Sequence, residues 1–307
     1  MSVFARSTFS AAGYAAFRPA YPSSLFKTIL AYHNPASKNG TLLDLGCGHG
    51  LISRELSPNF GRVIAIDPSA GMVKQAIEST QDHKITFKQA TSEDLSFVED
   101  DSIDLVVAGQ AAHWFDYSKV WPELARVVKS GGTLAFWGYK DNILVGYPEV
   151  NEIFQHFCYG EGEAVRESGF ETMGKYWEPG RQILRDNLSI VVPPEAEWEG
   201  IKRIVYDPDR KTAQIGAEVD PQAVWQRKRL TLGEFEGYVR TFSAYRGWRD
   251  AHPEITSRAE GGSGDIADLL FDRLLEVVPE WKAKGDEWRD FEVEAVWGTT
   301  IILAKRK

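Results

Sequence analysis

Cysteine is scarce: the 307 residues hold two, Cys47 and Cys158. Two thiols make neither a disulfide framework nor a cysteine-rich metal site, so no metal is expected and a reducing, cytoplasmic setting is. Long apolar runs are missing as well, and no stretch is long enough to cross a bilayer, which argues against a membrane partner. Basic excess is also missing. Lys and Arg number 35 against 44 Asp and Glu, a net charge of −9, whereas a nucleic-acid partner usually shows as a basic domain. Asp and Glu are absent from the first 43 residues. Transit peptides share that bias, but this stretch carries a Tyr/Arg/Pro pattern with a better explanation below. There is no internal repeat and no low-complexity tail.

What is present is a soluble globular composition with ten tryptophans, enough large flat side chains for an aromatic pocket or interface. A monomer is the expected state.

The chain is organised around Thr41-Leu42-Leu43-Asp44-Leu45-Gly46-Cys47-Gly48-His49-Gly50. A short apolar run ends in an acid and opens into three alternate glycines. The run is too short for a helix and reads as a buried parallel strand. Leu51 to Ser57 then starts a helix, so the element is strand, glycine loop and helix N-terminus, a nucleotide-type site. A dinucleotide loop wants glycine three positions after Gly48, where Leu51 stands, and a phosphate loop would end in Gly-Lys-Ser/Thr. Asp44 at the mouth would repel a phosphate and attract an ammonium. S-adenosylmethionine (SAM) meets these demands, having an amino-acid zwitterion, a ribose, an adenine and no phosphate. Val63 to Asp67 is a second buried strand ending in an acid, 21 positions after Gly46, the distance at which a βαβ carboxylate accepts ribose hydroxyls.

Asp44-Leu45-Gly46-Cys47-Gly48-His49-Gly50 followed by Asp67-Pro68-Ser69 resembles the first two motifs of class I SAM-dependent methyltransferases. That resemblance implies a Rossmann-like α/β fold with a seven-stranded sheet and SAM as cofactor. Tyr14, Arg18, Pro19, Tyr21 and Pro22 are similar to the N-terminal lid of the trans-aconitate methyltransferase-like group, in the methyltransferase type 11 family. By this resemblance Tyr14 and Arg18 reach the cofactor carboxylate and Tyr21 faces the substrate. Met72, one turn into the next helix, packs either on adenine or in the core. Thr91, Ser92 and Glu93 resemble the adenine-edge loop, although many relatives have an acid where Thr91 stands.

Ile103 to Ala108 is the fourth strand and leads into Gln110, His113, Trp114 and Phe115, a Gln-x-x-His-Trp-Phe run again similar to the trans-aconitate methyltransferase-like group. Ligands lie beyond the carboxyl ends of such strands, which places Gln110 with the cofactor and His113 and Trp114 beside it. His113 is a candidate general base, a substrate hydrogen-bonding group, or a structural residue held between Trp114 and the cap. Thr133 to Trp137 is the fifth strand.

Residues 139 to 260 lose the βαβ rhythm and read as a substrate-binding cap inserted between strands five and six. The core is then residues 1–138, and residues 261–307 supply its last helix and a closing hairpin turned at Gly298. Within the cap, Ile201 to Tyr206 and Ala223 to Leu230 suggest a small hairpin, and Thr231 to Ala244 a helix. Tyr176, Trp177 and Tyr245 are candidate substrate contacts. Arg181 is the best candidate to grip a substrate anion, ahead of Arg240 and Arg246, because Arg holds a carboxylate by two parallel hydrogen bonds.

The expected function is methyl transfer to a small molecule, with a carboxylate giving a methyl ester as one acceptor and a thiol or hydroxyl of a secondary metabolite as the alternative. A non-catalytic SAM-binding protein is compatible with every cofactor motif. A nicotinamide-dependent oxidoreductase is disfavoured by the glycine spacing.

Overall fold

Five short apolar runs separated by amphipathic segments dictate a parallel sheet, because parallel neighbours need a crossover between them. The computed structural model describes residues 21–33, 39–160, 171–208 and 226–307. Tyr14 and Arg18 lie outside them. Helix α1 (Ser23–His33) precedes β1 (Thr41–Leu45), α2 (Leu51–Leu56), β2 (Arg62–Asp67), α3 (Ala70–Glu78), β3 (Ile85–Gln89), β4 (Ile103–Gly109), α4 (Tyr117–Val127) and β5 (Val128–Leu144). These strands run parallel in the order β3-β2-β1-β4-β5. The sheet is Rossmann-like, as expected.

The rest of the chain supplies α5 (Pro148–Tyr159), α6 (Gly180–Arg185), β6 (Trp198–Tyr206), β7 (Arg227–Thr231), α7 (Leu232–Val239), α8 (Ser243–Ala251), α9 (Ile266–Val277) and β8 (Glu292–Arg306). Strand β8 runs antiparallel to β5, β6 and β7. Among the described residues the sheet therefore has eight strands, one more than expected, because the inserted segment contributes two.

Three expectations are corrected here. The closing hairpin is one strand. Its residues 299–305 pair with Thr133–Tyr139 and its residues 295–297 with Asn142–Leu144, with a register break on β5 between Tyr139 and Asn142. Gly298 stands opposite that break, and a Cβ there would lie 2.8 Å from Lys140 Cε. Glycine admits the lysine stem rather than making a turn. Next, β6 and β7 do not pair with each other. Strand β6 lies along residues 299–306 of β8 and β7 along residues 292–296, since β8 is long enough to serve both. Finally, the helix expected over 231–244 is two helices. Phe242 is extended at φ −68° and ψ 141° and buries its ring, which ends one helix and starts the next.

Two apolar layers cover the sheet. One contains Leu43, Ile66, Val106, Leu124 and Phe136. The other contains Leu25, Ile29, Ile52, Val107 and Trp137. A third core joins α5, α7, α8 and α9 to the far ends of β5 and β8 through Leu144, Phe157, Phe235, Trp248, Leu270 and Trp297. Its packing crosses residue 260, where the expected cap ends. Among the described residues no helix is long and apolar enough to cross a membrane.

Candidate active site

The site forms where β1 and β4 end and the parallel part of β5 stops. Asp44 is level with Val107, and Gly109 with Trp137, so Gly46 and Gly109 close β1 and β4 at the height of Trp137, where the parallel pairing of β5 stops and β5 continues alongside β8. Gly46 has φ +67° and a Cβ there would meet the Ala111 methyl at 2.5 Å. The glycine lets the loop after β4 press against the loop after β1. Gly48 has φ +54° and a Cβ there would meet nothing within 4 Å. Its open side is a cradle that a ligand can approach down to the backbone. Gly50 caps α2 and faces the Phe87 ring.

The acids of the two motifs border this loop, Asp44 in β1 before it and Asp67 at the end of β2 beside it. One Asp67 oxygen accepts from the Gly48 N–H at 2.9 Å and the other from the Ser69 N–H at 2.8 Å. A carboxylate oxygen has two acceptor sites, so each keeps one for a hydroxyl. Burial raises the Asp67 pKa against the pull of these bonds. Asp44 is fully buried. Ser53, in the first turn of α2, donates to its Oδ2 at 2.5 Å. Its Oδ1 is buried and has no hydrogen-bond partner among the described residues. Burial pushes the Asp44 carboxyl up to about 7, Ser53 opposing and Asp67 adding to the rise.

The adenine-side candidates follow β2 and β3. Met72 and Ser92 are buried. Pro68 and Thr91 are exposed, and Glu93 is half-buried and accepts from the Asp116 N–H at 3.0 Å. Beyond β4, the Ala112–Trp114 turn holds His113 at 8% exposure, its ring centroid 4.7 Å from that of Trp114. A Cβ on Gly180, at the start of α6, would lie 3.0 Å from the His113 ring, so α6 covers this turn. Trp114 is exposed. Tyr21 meets Trp137 edge-on at 5.5 Å.

Several candidates are committed elsewhere. Gln110 adopts φ +56° and clamps one residue of β5, accepting from the Tyr139 N–H at 2.8 Å and donating to the Tyr139 carbonyl at 2.9 Å. These two bonds occupy one donor and one acceptor position of the amide on which the expected cofactor contact relied. Arg181 donates to Asp141 at 2.6 Å and to the Tyr159 hydroxyl at 2.8 Å. Its charge is met inside the fold by Asp141, where the sequence suggested a substrate anion. Arg240 is likewise held by Asp265 at 2.5 Å and Asp268 at 2.9 Å. Trp177 donates to the Cys158 carbonyl at 2.7 Å and Tyr245 to Asp265 at 2.6 Å. With Tyr176, they pack against the helical core.

Sequence reasoning missed Ser53 and Arg54. The signal was a hydroxyl on the inward face of Leu51-Ile52-Ser53. Arg54 staples the loop by donating to the His49 carbonyl at 2.8 Å and the Thr80 hydroxyl at 3.0 Å.

Comparison with known proteins places this geometry. A family profile described as a methyltransferase domain matches residues 43–136. The probable S-adenosylmethionine-dependent methyltransferase CRG1 of Saccharomyces cerevisiae is 30% identical over 276 residues, covering 88% of each chain. This chain belongs to the class I SAM-dependent methyltransferases. The methyltransferase pgmE of Aspergillus terreus is 25% identical, covering 96% of this chain and 92% of its own. A protein of Anaeromyxobacter dehalogenans assigned as a type II methyltransferase shares the fold at a TM-score of 0.63 and 24% identity, covering 94% of this chain and 98% of its own.

The site of this methyltransferase fits SAM on its own terms. Asp44, in the strand that leads into the glycine loop, keeps a buried oxygen without a partner among the described residues, Gly48 leaves an open side, and the Gly48 N–H holds the Asp67 carboxylate. Among the described residues no group of three or more His, Cys, Asp or Glu is arranged to hold a metal.

Proposed function

We propose that this methyltransferase acts on a small molecule that enters over the ends of β4 and β5, with residues 139–260 as its cap. The observation that carries this reading is the Tyr21–Trp137 aromatic pair, level with Gly46 and two strands away, about 10 Å at ordinary strand spacing. SAM, when bound, supplies a methyl group already activated on a sulfonium. The chain's task is to align the acceptor and exclude water. Asp67 is assigned to the ribose hydroxyls and Asp44 to the ammonium, with Met72 and Ser92 beside the adenine. His113 is assigned to the acceptor side, where it is buried under α6.

The carboxylate acceptor loses its main support, because Arg181 already holds Asp141. A hydroxyl or thiol acceptor needs no such cation, and a thiol needs only modest help to ionise. The trans-aconitate methyltransferase-like reading rests on the lid and Gln-x-x-His-Trp-Phe motifs.

The test is to incubate the protein with SAM and a panel of small carboxylic acids, thiols, phenols and amines, and to measure S-adenosylhomocysteine formed per acceptor. Turnover is expected with hydroxyl or thiol compounds. Silence across the panel from a protein that binds SAM would sink the small-molecule reading.

A further inference from the structure

The turn that carries His113 leaves the sheet just after β4 ends, and a strained backbone marks the place. Gln110 has φ +56°, in the left-handed region where glycine or asparagine meets less steric resistance than a longer side chain. Glutamine stands there nonetheless. A side chain kept in so unfavourable a conformation points to a use for that side chain.

The use lies in the ladder between β4 and β5. Regular pairing ends at Gly109 and Trp137, and the Gln110 N–H still donates to the Trp137 carbonyl at 2.9 Å. Continued by one residue, the register would set Gln110 level with Gly138. In a parallel ladder the Gln110 carbonyl would then take the Tyr139 N–H, and the Ala112 N–H would serve the Tyr139 carbonyl. The main chain abandons that rung, because Ala111 turns aside to meet Gly46 of the glycine loop. The Gln110 amide replaces it. Its Oε1 accepts from the Tyr139 N–H at 2.8 Å and its Nε2 donates to the Tyr139 carbonyl at 2.9 Å. Gly138 leaves the room. A Cβ there would lie 3.2 Å from Gln110 Oε1 and 2.7 Å from Leu184 of α6.

Two parts of the molecule are thereby tied together. On one side is the Ala112–Trp114 turn, with His113 under α6 at Gly180. On the other is Tyr139, which pairs with Thr299 of β8 and packs in the core that α5, α7, α8 and α9 build. The turn has further anchors in Ala111, against Gly46, and in the Ala112 carbonyl, which accepts from the Tyr117 hydroxyl at 2.6 Å. Gln110 anchors it to β5.

We propose that Gln110 is a positioning residue. Its amide stands in for the missing rung and sets the His113 turn against the strand that leads into residues 139–260. The proposal rests on the methyl-transfer reading for what the turn does, though not for whether the clamp holds it.

Diethyl pyrocarbonate, which modifies accessible neutral imidazoles, is the probe, and peptide mass spectrometry follows each histidine of the full chain. His113 is 8% exposed, and His33, beside Thr133 at the far end of the sheet, is 6%. Gln110→Leu keeps the bulk and removes both hydrogen bonds. Gln110→Gly removes them and also relieves the backbone. Both variants should modify at His113 about tenfold faster than the wild-type chain, as the loss of a net hydrogen bond implies. His33 should react as slowly as before, and S-adenosylhomocysteine affinity, by calorimetry, should be retained. His113 protected in Gln110→Gly as in the wild type would assign the residue to backbone geometry and overturn the proposal. So would His33 reacting alongside His113 in both variants, which marks loss of the whole fold.

Turnover separates the proposal from the reading beneath it. With an acceptor that the wild-type chain methylates, the variants should lose kcat and keep KM for SAM. An unchanged kcat beside a released His113 would overturn the positioning role. A released His113 in a chain that neither binds S-adenosylhomocysteine nor methylates any acceptor keeps the clamp and loses methyl transfer.

Discussion

Ser53 donates a 2.5 Å hydrogen bond to one oxygen of Asp44 and leaves the other oxygen of that fully buried carboxyl without a partner among the described residues. A carboxyl so placed is half-prepared. One oxygen is oriented by the fold, and the other is left for a donor, the role proposed for the cofactor ammonium.

If Asp44 takes the proposed ammonium, cofactor binding is expected to depend on pH through this pair. The Asp44 carboxyl titrates at about 7, raised chiefly by burial, so below that pH it is protonated and must lose a proton before it can pair with an ammonium. Affinity for SAM, measured by calorimetry from about pH 6 to 8, should rise through that range. Asp44→Asn should flatten the rise, and a slope that survives the substitution would assign it to another group. In the protein without cofactor the sign is reversed. A raised carboxyl pKa stabilises the fold fully below the unfolded value, and that contribution is lost as pH rises through about 7.

Asp67→Ala should weaken SAM binding by about 1–3 kcal/mol, because it removes the proposed ribose partner and also strips the Gly48 and Ser69 amides of their acceptor. Asp67→Asn keeps one acceptor oxygen and should lose less. Equal affinities for all three proteins would remove Asp67 from the cofactor site.

Arg181→Ala should act on stability rather than on acceptor binding. It leaves Asp141 buried with its principal partner gone, a change that typically costs about 3–5 kcal/mol. Denaturant unfolding is the measurement. A normal midpoint with a raised KM for an anionic acceptor would restore Arg181 as an anion site.

His113→Ala distinguishes its roles. Loss of a general base costs about a hundredfold or more in kcat, whereas loss of an orienting or packing ring costs a few-fold. The few-fold result is expected for a residue covered by α6, with rescue by His113→Asn if the contribution is a hydrogen bond.

His33 carries a second pH dependence, remote from the site. Its Nδ1 lies 2.9 Å from the Thr133 hydroxyl. Burial first, then Lys305, lowers its pKa to about 4, with Asp104 opposing. The native protein holds it neutral while the unfolded chain protonates it near 6.5. The stability it contributes is therefore present above about 6.5 and lost as pH falls toward 4. The melting temperature should fall across that window, and His33→Phe should reduce the fall.

The amino-acid sequence determined by itself whatever depends on neighbours along the chain. Strand, glycine loop and helix at Thr41–Leu56, and the second acid at Asp67, follow from apolar run length and from glycine's access to positive φ. The glycine loop and the strands that flank it were legible for that reason. The tertiary structure decided what depends on distant partners. Gly298 read as a turn because the Lys140 stem crossing it lies more than 150 residues away in sequence. Arg181 read as a free cation because Asp141 reaches it only once α6 folds over the end of β5, and Gln110 read as a ligand because the Tyr139 backbone it clamps belongs to the neighbouring strand. In each case the deciding partner comes from a distant segment, because which hydrogen bonds a side chain makes in a folded core is a property of the packing and not of the residue.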